Sequence, residues 1–469
     1  MSIIEKSSLS SVDLPGFSRA LGAVANATEE LRPVLGVKDL VLMIVGTVIG
    51  SGIFLVPSVV LRAVGNSMPM ALLAWLTGGV LSLLGALTYG ELSAMRPKTG
   101  GLYIYIRDCF GPLPAFLFGW TMFFVISSGS IAALAVAFSN YLAELVPLSI
   151  LGVKIVAVLM ILVITALNIR GTRQSANVLN ITTAAKVLAI LVLSSVLLWY
   201  GNNPILHGGA TADHPASRVF GFGLAMVSVL WAYEGWQYPT YMAGETVNPQ
   251  RTFPLGLLLG TLALVSLYIY ANVAYVAALG ISGVAGSARV AASALNVVIS
   301  HGAARLIACA ILISIFSAAN SILLNSPRVY YAMAKDGLFF RSLAGVHPRF
   351  GTPALAIAVA GMWSALLAVS GTFEQLLTYV VFIGWIFYAL AAASIFVYRR
   401  RSLGAARPYR VPGYPLTPLV FIGAALALVV STIAAQPVRA GIGLAIVFLG
   451  APAYAFWRRG ASVEASGAL

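Results

Sequence analysis

Apolar stretches of about 20 residues or more recur along the whole chain, and each is long enough to cross a hydrocarbon core of about 30 Å as a helix. Charged residues make up only 9% of the 469, against about 25% in ordinary soluble domains. So little charge cannot cover a surface in water. The chain therefore reads as an all-α membrane protein with short loops. Twelve spans are expected, near 39–63, 69–95, 112–142, 150–169, 177–200, 218–243, 253–280, 303–333, 353–371, 375–398, 415–435 and 439–457. Interruptions fall at Gly, Pro and polar clusters such as Arg96–Gly101, Gly201–Pro215 and Arg399–Pro415. Residues 281–302 are too polar to span and are expected to form a short extracellular helix.

The formal net charge of +14 could suggest nucleic acid, but the basic residues sit at span ends and in alternate loops. Most fall on the side of the N-terminus. Arg62, Lys154, Arg218, Arg289, Arg305 and Arg439 are expected at the opposite side, and Lys186 lies inside a span. That bias puts both termini in the cytoplasm. Cys109 and Cys309 have neither metal-ligand nor disulfide spacing. The first 36 residues are polar and Ser-rich and show no signal peptide. They read as a cytoplasmic tail, with room for a surface helix around Leu14 to Leu31. The expected organisation is this tail, a core over 37–400, two further spans over 401–459 and a short tail over 460–469.

Two spans carry helix-breaking residues near mid-depth. The first contains Gly46, Gly50, Ser51, Gly52 and Pro57. Gly46 and Gly50 have the spacing of a close-packed helix pair, yet Gly-Ser-Gly followed by Pro also destabilises the helix at one depth. The sixth contains Gly235 and Pro239 beside Glu234, with Trp231, Tyr233 and Trp236 around them. An ordinary Pro-kinked aromatic helix would carry these residues too. The pairing matters more: an interrupted segment in each half of a repeated core points to a midplane binding site. A broken helix exposes N–H groups that attract anions and C=O groups that attract cations. Two facing breaks could hold the α-carboxylate and α-ammonium of an amino acid by backbone alone.

Lys186 lies about ten residues into the fifth span, near mid-depth at about 1.5 Å per residue. Snorkelling from there is a poor reach, so the ammonium is a functional candidate. Its natural partners are carbonyls freed in the first span. It could act as a fixed cation or as a titrating group. Glu234 could be a structural carboxylate or a counter-charge to a cationic substrate. Glu91 and Glu245 sit beside basic loops and read as gating or structural ion pairs.

Six segments carry a family likeness: V-G-T-V-I-G-S-G-I-F-x-x-P, Y-G-E-L, G-P-L-P-A-F-L-F-G-W, L-W-A-Y-E-G-W-Q-Y, G-E-T-V-N-P-Q-R-T-F-P and N-S-P-R-V-Y-Y-A-M-A-K-D-G. Over about residues 35 to 435 the chain resembles the L-type branch of the amino acid–polyamine–organocation transporters. The resemblance implies a LeuT-like 5+5 inverted repeat with two extra helices. It also implies sodium-independent exchange of L-amino acids by alternating access at the cell membrane. By that resemblance the N–H groups of Ser51 and Gly52 take the carboxylate, within the segment Val48, Ile49, Gly50, Ser51 and Gly52. The carbonyls of Val48, Trp231 and Glu234 take the amine, with Ala232 between the last two. Trp231 matches an aromatic gate, Gln237 and Tyr238 a pocket wall, and Phe382 and Trp385 a distal wall. Lys186 matches a lysine that replaces a sodium site, with Ser317 as a weaker partner.

Two departures shape the expectation. Many members have a small residue where this chain has Glu234, which tilts the substrate toward cationic or mixed cationic and neutral amino acids. Leu142–Lys154 holds no cysteine for a disulfide-linked heavy subunit, so no such partner is expected. Proton-coupled uptake of neutral amino acids is the alternative, and a non-transporting amino acid sensor is a remote one. No enzyme is expected: H-E-x-x-H and G-x-S-x-G are absent, and His207, His214, His301 and His347 are scattered. No cofactor, metal or nucleic acid is implied.

Overall fold

The computed structural model describes residues 31–143, 145–205, 215–298, 303–370, 373–401, 404, 406–435 and 437–467. The helix expected around Leu14 to Leu31 lies outside this range except for its last residue. The described residues form helices and no strand. The helices are α1 (Val37–Val48), α2 (Gly52–Ala63), α3 (Met68–Met95), α4 (Leu102–Phe110), α5 (Pro112–Thr121) and α6 (Ser127–Ala143). There follow α7 (Ile150–Ile169), α8 (Thr172–Tyr200), α9 (Pro215–Ala232), α10 (Pro249–Gly286), α11 (Val290–Val298) and α12 (Ala303–Asn325). The last are α13 (Pro327–Lys335), α14 (Ala354–Ser370), α15 (Phe373–Arg401), α16 (Leu416–Ala435) and α17 (Pro437–Gly467). A π-helical turn, Met122–Ile126, joins α5 to α6, so the third span runs through.

Among the described residues, eight helices are long and apolar enough to cross a membrane, and the bent pair α1–α2 makes nine. Helices suit such a solvent because they satisfy their own backbone donors and acceptors. The polar stretch 281–302 contains the short helix α11, while α10 runs on to Gly286 through a kink at Gly280.

Two groups of helices surround the breaks. In one, α3 and α10 pack together, α1 and α2 lie on α10, and α9 lies on α2 and α3. In the other, α6, α7, α12 and α14 pack on one another, and α8 touches both groups. Small residues allow the close approaches. A side-chain carbon on Gly256 or Gly260 of α10 would stand 2.8 Å from Leu40 or Ile44 of α1.

Ion pairs tie helix ends. Arg399 donates to both oxygens of Glu91 at 2.8 and 2.6 Å, and Val411 N–H donates to the same carboxylate. Arg328 and Glu245 are fully buried, with Nε and Nη2 donating to the two carboxylate oxygens at 2.7 and 3.0 Å. Thr172 of α8 joins them, donating to Glu245 at 2.6 Å and accepting from Arg328 at 2.8 Å. A buried pair needs this completeness, because desolvation offsets most of the Coulomb attraction.

Candidate substrate site at two broken helices

The first break is local in origin. Gly50, Ser51 and Gly52 form a poor helix, so α1 stops at Val48 and α2 restarts at Gly52, bent by 53°. Gly50 N–H turns back to the carbonyl of Val48 at 2.8 Å. No acceptor among the described residues meets the N–H groups of Ser51 and Gly52. These sit at the positive end of α2, where a carboxylate is favoured.

The second break follows α9. Helical structure ends at Ala232, and Tyr233–Gln237 turn without forming a helix. Gly235 takes φ +122°, which a side chain would strain, and a carbon there would meet Thr47 Cγ2 at 2.8 Å. A 3₁₀ segment, Tyr238–Glu245, continues beyond. The sixth span, expected to cover 218–243, is therefore two pieces.

The breaks touch. A carbon on Gly52 would lie 3.2 Å from Ala232 Cβ. The hydroxyl of Tyr268 on α10 is shared between Val48 O at 3.2 Å and Ala232 O at 3.1 Å. It joins the ends of the two first halves.

A cavity of about 80 Å³ lies between them. It is lined by Val48, Gly50, Ser51 and Gly52 from the first break and by Trp231, Ala232 and Glu234 from the second. Ser130, Ala133 and Leu134 of α6 and Ala318 and Ile322 of α12 close it, with Thr47. A polar cavity needs only about 10–15 Å³ to hold one water, so this one has room for more than one.

The amino acid permease family model matches residues 35–451. The chain belongs to the amino acid permease family. It is 32% identical over 427 residues to the serine/threonine exchanger SteT of Bacillus subtilis, covering 90% of this chain and 96% of that one. It is 32% identical over 419 residues to the b(0,+)-type amino acid transporter 1 of Homo sapiens, covering 87% and 84%. The large neutral amino acids transporter small subunit 2 of Homo sapiens is 31% identical over 432 residues, covering 90% and 80%. These relatives fit the L-type branch, so the permease is a multi-pass membrane protein of a transporter family.

In this permease Glu234 is half-buried and pinned by one oxygen. Oε1 accepts from Gln237 Nε2 at 2.8 Å and from Tyr388 OH at 2.6 Å. No described residue donates to Oε2. The Tyr388 carbonyl in turn accepts from Tyr89 OH at 2.9 Å. Gln237, Tyr238 and Trp385 are buried but do not line the cavity. Trp385 packs on Tyr388 and Phe421 instead. The side chain of Phe382 lies outside the described residues.

Lys186 is buried at 2% exposure. Its ammonium donates to Gly46 O at 2.6 Å and Ile49 O at 2.7 Å. Ser314 of α12 adds bonds to Ile49 O at 2.8 Å and Gly50 O at 3.1 Å. A cation thus caps the negative end of α1. The structure does not bring Ser317 to Lys186: its hydroxyl meets Thr182 at 3.0 Å and Thr183 at 3.4 Å. The group on Ile49 is Ser314, one turn earlier on the same helix.

Sequence reasoning missed Ser314, Tyr268 and Tyr388, and the α6 and α12 walls. Ser314, Ser317 and Ser321 recur at helical spacing in α12, which was a readable polar stripe. Nothing in sequence separates Tyr268 or Tyr388 from the other tyrosines in apolar spans.

Proposed function

We propose that this permease is a sodium-independent exchanger of small L-amino acids, working by alternating access. One observation carries the reading: two helix breaks face one small cavity, with the N–H groups of Ser51 and Gly52, unpaired among the described residues, on one side and Trp231 and Glu234 on the other. The α-carboxylate binds the N–H pair, and the α-ammonium binds at the end of α9 beside the Glu234 carboxylate, where Trp231 O and Ala232 O each already accept one bond. Val48 O is a weaker acceptor than expected, since Gly50 N–H and Tyr268 OH already occupy it. Trp231 acts as the gate. Lys186 holds a fixed positive charge where a sodium ion would otherwise lie against the carbonyls of α1. The printed names of the relatives, a serine/threonine exchanger and amino acid transporters, support the same class.

The proposed architecture is twelve spans in a 5+5 inverted repeat over 37–400, with two more helices over 401–459 and both termini in the cytoplasm. Adding the broken sixth span, α14 and α15 to the nine apolar spans supports that count. The basic bias of the loops supports the orientation. No disulfide-linked heavy subunit is required, because residues 142–154 hold no cysteine.

The test is uptake of labelled serine or alanine into proteoliposomes with empty or amino-acid-loaded lumens. Exchange requires a loaded lumen. Uptake into empty vesicles driven by an inward proton gradient would replace exchange with symport. A second reading, cationic substrates, is favoured by the open Oε2 of Glu234. Glu234→Gln should then cut arginine uptake by about tenfold, the cost of one charge-assisted contact, while alanine uptake changes little. Equal effects on both would remove that reading.

A further inference from the structure

A second cavity, of about 260 Å³, borders Lys186. Its inner wall is Phe54 of α2, Ile190 and Leu193 of α8, Leu295 of α11 and Ile307 of α12, all buried. Its outer rim includes Val192 and Leu306, which are 53% and 66% exposed. Both rim residues belong to helices apolar and long enough to cross a membrane, which suits an opening toward hydrocarbon.

Chemistry narrows the occupant. Lys186 is the only polar residue among the described lining, and its ammonium already donates to Gly46 and Ile49. Apart from the single N–H that Lys186 leaves over, water would find no partner, and apolar cavities stay dry. An amino acid zwitterion would lose its hydration without compensation. Hydrocarbon remains, and an apolar cavity of about 150 Å³ already takes up benzene.

We propose that this cavity is a binding site for one acyl chain of a bilayer phospholipid, inserted between α8 and α12. The chain packs on the methylene stem of Lys186 and on Phe54, in the first turn of α2 beyond Gly52. It therefore touches the element that caps α1 and the element that presents the free N–H groups. The site stands on the cavity alone and is independent of the exchange reading.

The test uses the full chain in phosphatidylcholine bilayers doped with a phosphatidylcholine bearing a mid-chain diazirine. After irradiation, labelled peptides are quantified by mass spectrometry. Labelling at residues 189–196 and 306–310 should exceed that on lipid-facing α7, around the exposed Leu159, Leu162 and Val163, by several-fold. Ala310→Trp fills the cavity and should abolish the excess while leaving α7 unchanged. If that variant fails to insert, Ala310→Leu should reduce the excess. Labelling no greater than on α7, or an excess that neither variant lowers, would show a fluid annulus and overturn the proposal.

Discussion

At the first break the orphaned carbonyls are met by side chains from other helices, whereas at the second the chain largely meets itself. Gly46, Ile49 and Gly50 depend on Lys186 of α8 and Ser314 of α12. After α9, Gly235 makes the turn, and Gln237, three residues from Glu234, holds its carboxylate, with Tyr388 as a distant partner of that carboxylate and Tyr268 of α10 on Ala232 O. The first break is thus a tertiary structure written around a local weakness. The second is set mainly by one glycine. The difference fixes which substitutions should matter most.

Removing the borrowed cation should have the largest effect. Lys186→Met keeps the apolar stem and leaves Gly46 O and Ile49 O without their charged donor. Two bonds to a charged group contribute about 1.5–3 kcal/mol each, so thermal unfolding in detergent should show a loss of about 3 kcal/mol or more. Uptake should fall by about tenfold or more on the same scale. A variant that unfolds and transports like the parent would show that the first break does not depend on α8.

The second break should respond to backbone strain instead. Gly235→Ala places a side chain at φ +122°, against Thr47 Cγ2. Such strain costs about 1–3 kcal/mol. Adding Thr47→Ser removes the clashing methyl but keeps the hydroxyl that donates to Met43 O. The pair should recover part of the loss, because the clash is relieved and the dihedral strain is not. Full recovery would mean that Thr47 alone dictates glycine here.

This contrast also explains what could be read from sequence. Gly50-Ser51-Gly52 and Gly235 with Pro239 are local signals, because helix failure is a backbone property of those residues. Lys186 was legible because a charge at mid-depth demands a partner, and freed carbonyls were the nearest candidates. Those carbonyls are its partners, but the side-chain partners at the two breaks were not legible. Ser314 rather than Ser317 reaches Ile49 because of how α12 is rotated against α1, which one turn of polar spacing leaves open. Tyr388 reaches Glu234 from more than 150 positions away. Trp385 turns toward Phe421 instead of lining the cavity, a rotamer choice set by α16 that no motif encodes.

Tyr268 offers the finest test, because it is the group both breaks share. Tyr268→Phe removes the hydroxyl bonded to Val48 O and Ala232 O and keeps the ring on Trp75 and Tyr233. The loss should be about 1 kcal/mol, that of one neutral hydrogen bond. If the breaks act as a unit, this change is non-additive with Gly235→Ala. A double-mutant cycle on thermal stability should give a coupling of about 0.5 kcal/mol or more. Strict additivity would mean that the hydroxyl only satisfies two carbonyls, and that each break holds its shape without the other.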